Sequence, residues 1–314
     1  METFRTVFQP EPSPWNITHR DKVMLLGSCF SQHIGVSLKN AGFQVLSNPM
    51  GTLFNPDAIG KTLNMMCRKK VFRSKDFFER NGIFYSFDLH GDFSGTDKDQ
   101  LIHDANTAIS GARDFLHDTQ ILFLTFGTAW VYNLKETNKT VVNCHKVPSK
   151  EFTKRKLGVN EIVSDMSVVL NRLQQVNPKL KVVFTISPVR HLADGFVENQ
   201  WSKSTLNIAL HELVRRFDHC SYFPSYELVI DDLRDYRFME KDLVHPSDTA
   251  VQYVWKAFSE VYFSSETKKL VGEVEAWMKD KAHRPVHPDS TEFKKFQKHL
   301  AEKESDLKKR LPWL

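Results

Sequence analysis

The chain has 314 residues, 41% hydrophobic and 26% charged, with a formal net charge of +5. That length and mixture suit a soluble globular protein with a core of real size. Part of the positive excess lies in the C-terminal tail, no basic stripe is interleaved with aromatics, and no run of about 18 apolar residues occurs, so neither nucleic-acid binding nor a membrane span is expected.

Residues 22–27 read as a buried strand. Residues 31–40 read as a helix, with Ile34 and Leu38 on one face and Gly42 suited to its C-terminal cap. Residues 43–46 form a second strand, which ends in a loop carrying Asn48 and Gly51. Residues 56–68 look helical, and an aromatic insertion follows at about 70–95. After a helix over 97–117, residues 121–126 give the clearest strand of the chain, ending in Gly127-Thr128-Ala129-Trp130. A hairpin is expected at about 130–145, with its turn at Thr137-Asn138-Lys139. A helix over 160–175, a buried strand over 181–186 and a helix over 204–217 come next. Residues 227–230 read as a last short strand, and 247–261 as a helix.

Strands alternating with helices predict a mostly parallel sheet with helices on both faces, a three-layer α/β/α sandwich. The expected organisation is one α/β domain over 1–265 and a charged helical extension over 266–314. In that extension Phe293, Phe296, Leu300, Leu307 and Leu311 make a stripe at helical spacing, suited to docking on this domain or on a partner. Residues 1–15 hold no apolar core of signal-peptide length. Cys29, Cys67, Cys144 and Cys220 are far apart and form no CxxC pair. They read as free thiols in a reducing, cytoplasmic setting, with no metal and no cofactor expected.

In a parallel sheet the strand ends share one edge, where ligands bind. That edge is expected to gather Ser28 and Cys29, Asn48 and Gly51, Gly127 and Thr128, then Arg190 and His191. His245 follows on a late loop, with Asp242 three residues before it. A carboxylate so placed can fold back, accept the imidazole Nδ1 proton and leave Nε2 to act as a base. Together with two small nucleophilic side chains after the first strand, this pattern points to acyl transfer. Arg190 and His191 offer a clamp for a carboxylate or phosphate, and His145, after Asn143 and Cys144, is a further polar candidate. Trp130 and Tyr132 suit a wall against an acyl chain or sugar ring.

Gly27-Ser28-Cys29-Phe30-Ser31, Phe126-Gly127-Thr128-Ala129-Trp130, Asn143-Cys144-His145-Lys146, Ser187-Pro188-Val189-Arg190-His191 and Asp242-Leu243-Val244-His245-Pro246 together resemble the GSCFA family. That family is grouped with the SGNH or GDSL-type hydrolases, and the resemblance spans about residues 20–265. It implies an SGNH-hydrolase or flavodoxin-like core of about five parallel strands. It also implies an ester hydrolase or acyltransferase acting on a small-molecule or carbohydrate acyl ester. Asp242 and His245 match the final Asp-x-x-His motif of the pattern, and Gly51 stands where its oxyanion-hole glycine would. Strand-to-strand matching of Gly-Asp-Ser puts Cys29 at the nucleophile position, while a turn one residue shorter would make it Ser28. Ala129 occupies the place of the oxyanion-hole Asn, with Thr128, Asn143 or Arg190 as substitutes. A non-catalytic carbohydrate- or protein-binding module on the same scaffold is the competing expectation. A thiol redox protein is disfavoured, since no resolving cysteine is adjacent.

Overall fold

Strand β1 (Lys22–Gly27) is buried along nearly its whole length. A run with no polar alternation fits only the interior of a sheet covered on both faces. The computed structural model describes residues 6–283 and 290–314; residues 1–5 of the N-terminal stretch and 284–289 of the tail lie outside the described residues. After β1 come α1 (Cys29–Asn40), β2 (Gln44–Ser47), α2 (Pro56–Cys67) and a small hairpin of β3 (Phe78–Arg80) and β4 (Ile83–Tyr85). Then follow α3 (Lys98–His117), β5 (Thr119–Phe126), β6 (Trp130–Leu134), β7 (Lys139–Val141), β8 (Phe152–Lys156), α4 (Val159–Val176) and β9 (Lys181–Ile186). The chain continues through α5 (Phe196–Arg216), β10 (Cys220–Tyr222), α6 (Ser225–Glu227), α7 (Asp248–Tyr262), α8 (Ser265–Ala282) and α9 (Thr291–Arg310).

The central sheet has five strands in the order β10-β9-β5-β1-β2, all parallel. Period-two alternation sends Met24, Leu26, Leu122, Leu124, Val182 and Phe184 into one core with residues of α2 to α5. Val23, Leu25, Ile121, Phe123 and Val183 enter a second core with α1 and α7, including Leu38, Phe258 and Tyr262. Two apolar cores on opposite faces of one sheet make the three layers.

From β1 the chain moves outward to β2, then returns to lay β5 on the other side of β1. Strand order therefore reverses at β1 and β5, and the crevice beyond their C-terminal ends is where open α/β sheets take ligands. Gly27 closes β1 there at φ +144, a conformation that favours glycine. A Cβ on it would stand 2.2 Å from the Thr125 carbonyl oxygen. Gly27→Ala is accordingly expected to cost about 3 kcal/mol of stability, read as a lowered denaturant midpoint at unchanged slope. The Asn48 side chain accepts from the Gly27 N–H at 2.8 Å, and the Gly27 carbonyl accepts from Leu53 at 2.9 Å, fixing the turn into α1.

Two excursions leave the sheet. The β3–β4 hairpin turns at Asn81 and Gly82, both at positive φ, as a two-residue hairpin with native twist requires. The hairpin expected at 130–145 exists as β6 and β7, and β8 joins β6 to make a three-stranded antiparallel sheet. One expected strand is absent. Residues 227–230 are helical, running from α6 into a wide turn, Leu228–Leu233, that buries Leu228, Val229 and Leu233. A short apolar run does not distinguish strand from helix. The last strand is instead β10, three residues long with a serine at its centre, too short and polar to show a pattern.

In the tail, Leu307 and Leu311 cluster with Val274 and Trp277, and Leu300 packs partly against them. Trp313 Nε1 donates to the Gly42 carbonyl at 2.8 Å, tying the end of the chain to the α1–β2 turn. The stripe thus divides: its C-terminal half docks, while Phe293 and Phe296 stack on each other. Among the described residues no helix is long and apolar enough to cross a membrane, and no group of three or more His, Cys, Asp or Glu is placed to hold a metal.

Candidate active site

A cavity of about 600 Å³ opens at the β1/β5 switch point, walled by residues from six separate stretches of the chain. Ser28 and Cys29 follow β1, Thr128 and Trp130 follow β5, and Asn143 and Cys144 lie in the loop after β7. Arg190 and His191 come from the end of β9, and His245 from the loop before α7.

Cys29 is the first residue of α1 and is half-buried. Its own N–H and that of Phe30 lie against the thiol, and the Lys203 ammonium favours the thiolate from further off. Burial outweighs all three, so the thiol sits above its ordinary range. Cys29 is therefore a protonated thiol at neutral pH. Ser28 lies at the N-cap of α1, yet its side chain makes no capping bond. It is 1% exposed, and its Oγ is buried without a hydrogen-bond partner.

Asp242 and His245 lie on a tight loop. Met239 bridges Pro246, and Glu240 donates to the His245 carbonyl at 2.7 Å. Leu243 sits at φ +60, a strained position for a branched side chain, held by the bonds around it. Asp242 Oδ1 accepts from the N–H groups of Val244 and His245, at 2.9 and 3.0 Å. Its Oδ2 lies 2.6 Å from His245 Nδ1. The two backbone N–H groups, then the imidazole, hold the Asp242 carboxyl down at about 2. A depressed carboxyl stabilises the fold above its unfolded pKa and loses that contribution as pH falls through its folded one. Asp242 is therefore expected to titrate near 2 by NMR, with the Val244 and His245 amides losing protection over that same range. The His245 side chain is 44% exposed, so its ring borders the solvent as well as the cavity.

Beneath these groups lies Lys203, on α5 and 1% exposed. Its Nζ donates to the carbonyls of Gly127 at 2.7 Å and Ser187 at 2.6 Å, linking the ends of β5 and β9. Among the described residues no carboxylate pairs with it, and burial brings its amine down to about 7. Asn199, Ser202, Lys203, Leu206, Leu210 and Leu213 are all buried on α5. The readable signal for this support was a lysine on the apolar face of a helix. Ser202 Oγ bonds the Thr128 hydroxyl and the Ala129 N–H, and Asn199 Oδ1 accepts from the His191 N–H.

The expected oxyanion and substrate residues divide. Thr128, Asn143, Arg190 and His191 line the cavity. Gly51 does not: its N–H donates to the Asn48 carbonyl at 2.8 Å, and His90 packs on its Cα. His145 does not either. Its ring is buried among Phe78, Tyr85 and Phe87, with Nε2 2.7 Å from the Ser86 carbonyl, and burial lowers its pKa. The spacing in sequence gave no sign that the loop after β7 turns His145 inward. Ala129 is fully buried in the core, so the cavity-facing residues of that stretch are its neighbours Thr128 and Trp130. Phe54, Asn55 and Asp194 also form the wall; nothing in the sequence singled them out.

No curated protein matches the chain. Among solved structures, it is similar to a carbohydrate esterase of family 3 from Talaromyces cellulolyticus at 11% identity, over 82% of this chain and 99% of that one, with a TM-score of 0.37. It is also similar to a family 3 carbohydrate esterase from Clostridium thermocellum at 10% identity, over 80% and 99% of the two chains, with a TM-score of 0.35. A family 2 carbohydrate esterase from Corynascus thermopiles, which carries a carbohydrate-binding domain, is similar at 12% identity over 84% and 69%, with a TM-score of 0.41. The model of the GSCFA family matches residues 22–258, from β1 into α7, and the chain belongs to that family.

Proposed function

We propose that this protein is an ester hydrolase or acyltransferase in which Cys29 is the nucleophile, His245 the base and Asp242 the group that orients it. The observation that carries the reading is the Asp242–His245 pair, at 2.6 Å, whose imidazole borders the same cavity as the half-buried Cys29. Asp242 keeps the Nδ1 proton on its own side, which leaves Nε2 to take the proton of the thiol. The sulfur adds to the ester carbonyl, the tetrahedral intermediate collapses to a thioester, and His245 returns the proton to the departing alkoxide. Water or an alcohol then adds to the thioester carbonyl, losing its proton to His245, and the thiol leaves. Cys29 is favoured over Ser28 because Ser28 is almost wholly buried while Cys29 is half-buried at the first position of α1. An uncharged acyl ester fits the wall best, since Trp130, Tyr132, Val141, Val142 and Val189 make much of it.

The test is turnover of a panel of acyl esters, with p-nitrophenyl acetate as the probe, before and after iodoacetamide. Turnover that alkylation of Cys29 removes supports the reading. No turnover with any acyl ester or acyl-CoA would instead favour a binding module.

A further inference from the structure

Resting on that reading, we propose that the His191 side chain donates a hydrogen bond from Nε2 to the oxyanion of the tetrahedral intermediate, in place of the absent asparagine. Acyl transfer builds negative charge on the former carbonyl oxygen, and a preorganised donor aimed at it is worth about 10²–10³ in rate. Ala129 lies in the core and offers no such donor. The other polar side chains nearby have neighbours elsewhere. Thr128 Oγ1 bonds Ser202 Oγ and the Trp130 N–H, both at 3.1 Å. Asn143 Oδ1 accepts from the His145 N–H at 2.8 Å, and its Nδ2 lies toward Gly91, 3.8 Å from where a Cβ on that glycine would stand. The Arg190 guanidinium lies over the Tyr236 ring, 5.8 Å from its centroid.

His191 differs from all of these. It borders the cavity, and its Nε2 is buried with no hydrogen-bond partner. A buried ring nitrogen left without a partner is costly, and one beside an enzyme's nucleophile is accounted for by a bound reacting atom. Gly127 makes the approach possible: a Cβ on it would stand 3.1 Å from His191 Nε2 and 3.6 Å from Ser28 Cβ. The imidazole thus reaches in over a bare Cα beside the turn that carries the nucleophile. The His191 backbone is held by the Asn199 bond to its N–H, at 2.9 Å, and the ring lies edge-on to Phe54. A dependable donor must keep one charge state. Burial first, then the Lys203 ammonium and His245, outweigh Asp194 and hold His191 down to about 4, so the ring is neutral at working pH. A neutral imidazole carrying its proton on Nε2 is a donor and not a competing base.

The experiment compares His191→Phe and His191→Gln with Cys29→Ala and His245→Gln, using p-nitrophenyl acetate and, for binding, an alkyl trifluoromethyl ketone whose thiol adduct carries the same oxyanion. His191→Phe is expected to lose about 10²-fold in kcat with little change in KM, and to bind the ketone more weakly by a similar factor. His191→Gln, which retains an N–H donor, is expected to recover part of both. Thermal melts of the two variants separate a folding defect from a lost donor. Turnover and ketone affinity within threefold of wild type in folded His191→Phe would overturn the assignment. So would a His191→Gln variant whose acid limb has vanished from the pH–rate profile, since that makes His191 the base. If Cys29→Ala and His245→Gln also keep full turnover, the failure is of the nucleophile–base reading; if both are inactive while His191→Phe is unaffected, only the oxyanion assignment falls.

Discussion

Replacing Cys29 by alanine is expected to lower turnover of p-nitrophenyl acetate by about 10³-fold or more, while Ser28→Ala keeps most of it. The two residues are adjacent, and the contrast between them follows from their surroundings. Cys29 opens α1 with the N–H groups of the first turn against its sulfur. Nothing else at that position forms a bond to an acyl group, so its loss leaves only binding and oxyanion stabilisation. The Ser28 side chain caps nothing and bonds nothing. Removing a buried hydroxyl that lacks a partner relieves an unmet desolvation cost, so Ser28→Ala is expected to melt at or slightly above the wild-type temperature. The reverse ranking, with Ser28→Ala inactive and Cys29→Ala active, would move the chemistry to the hydroxyl.

Asp242→Asn is expected to lower kcat by about 10²–10⁴-fold with the fold intact. An asparagine Oδ1 accepts from the Val244 and His245 N–H groups as the carboxylate does, so the turn at Leu243 survives. The second interaction inverts. The carboxylate Oδ2 takes the proton of His245 Nδ1, whereas an amide N–H donates to that nitrogen and drives the ring's proton onto Nε2. The imidazole then faces the thiol as a donor and cannot remove its proton. Steady-state kinetics beside a thermal melt checks this: low kcat at unchanged stability is the predicted pair, and unchanged kcat would show that the pair only shapes the loop. His245→Gln is expected to fall at least as far, because the base itself is gone.

What the sequence disclosed, and what it hid, follows from the range of the interactions involved. Strands β1, β5 and β9 are buried on both faces and therefore read as apolar runs of helix-excluding length. Strand β10, at an edge and three residues long, carries no pattern, and the apolar run after it has the composition of a strand although it packs as a helix. The Asp242–His245 pair was legible because it is local: three residues of chain suffice to bring the groups together. That His245 and Cys29 line one cavity follows from the reversal of strand order at β1 and β5, which alternation of strands and helices implies in kind but not in register. Gly51 and His145 were misplaced for the same reason, since local spacing says nothing of which way a loop turns its groups. In sequence Lys203 reads, with Asn199 downstream of Arg190 and His191, as part of a polar cluster suited to an anion; in the fold it is buried and donates to the carbonyls of Gly127 and Ser187.

The central claim is that a thiol at the head of α1 carries the acyl group. Peptide mapping of enzyme quenched in acid moments after mixing with p-nitrophenyl acetate tests it directly. Fragment ions placing an acetyl group on Cys29, removed by neutral hydroxylamine as a thioester would be, are the predicted result. An acetyl group on the neighbouring Ser28, or steady turnover with neither residue acylated, would contradict it.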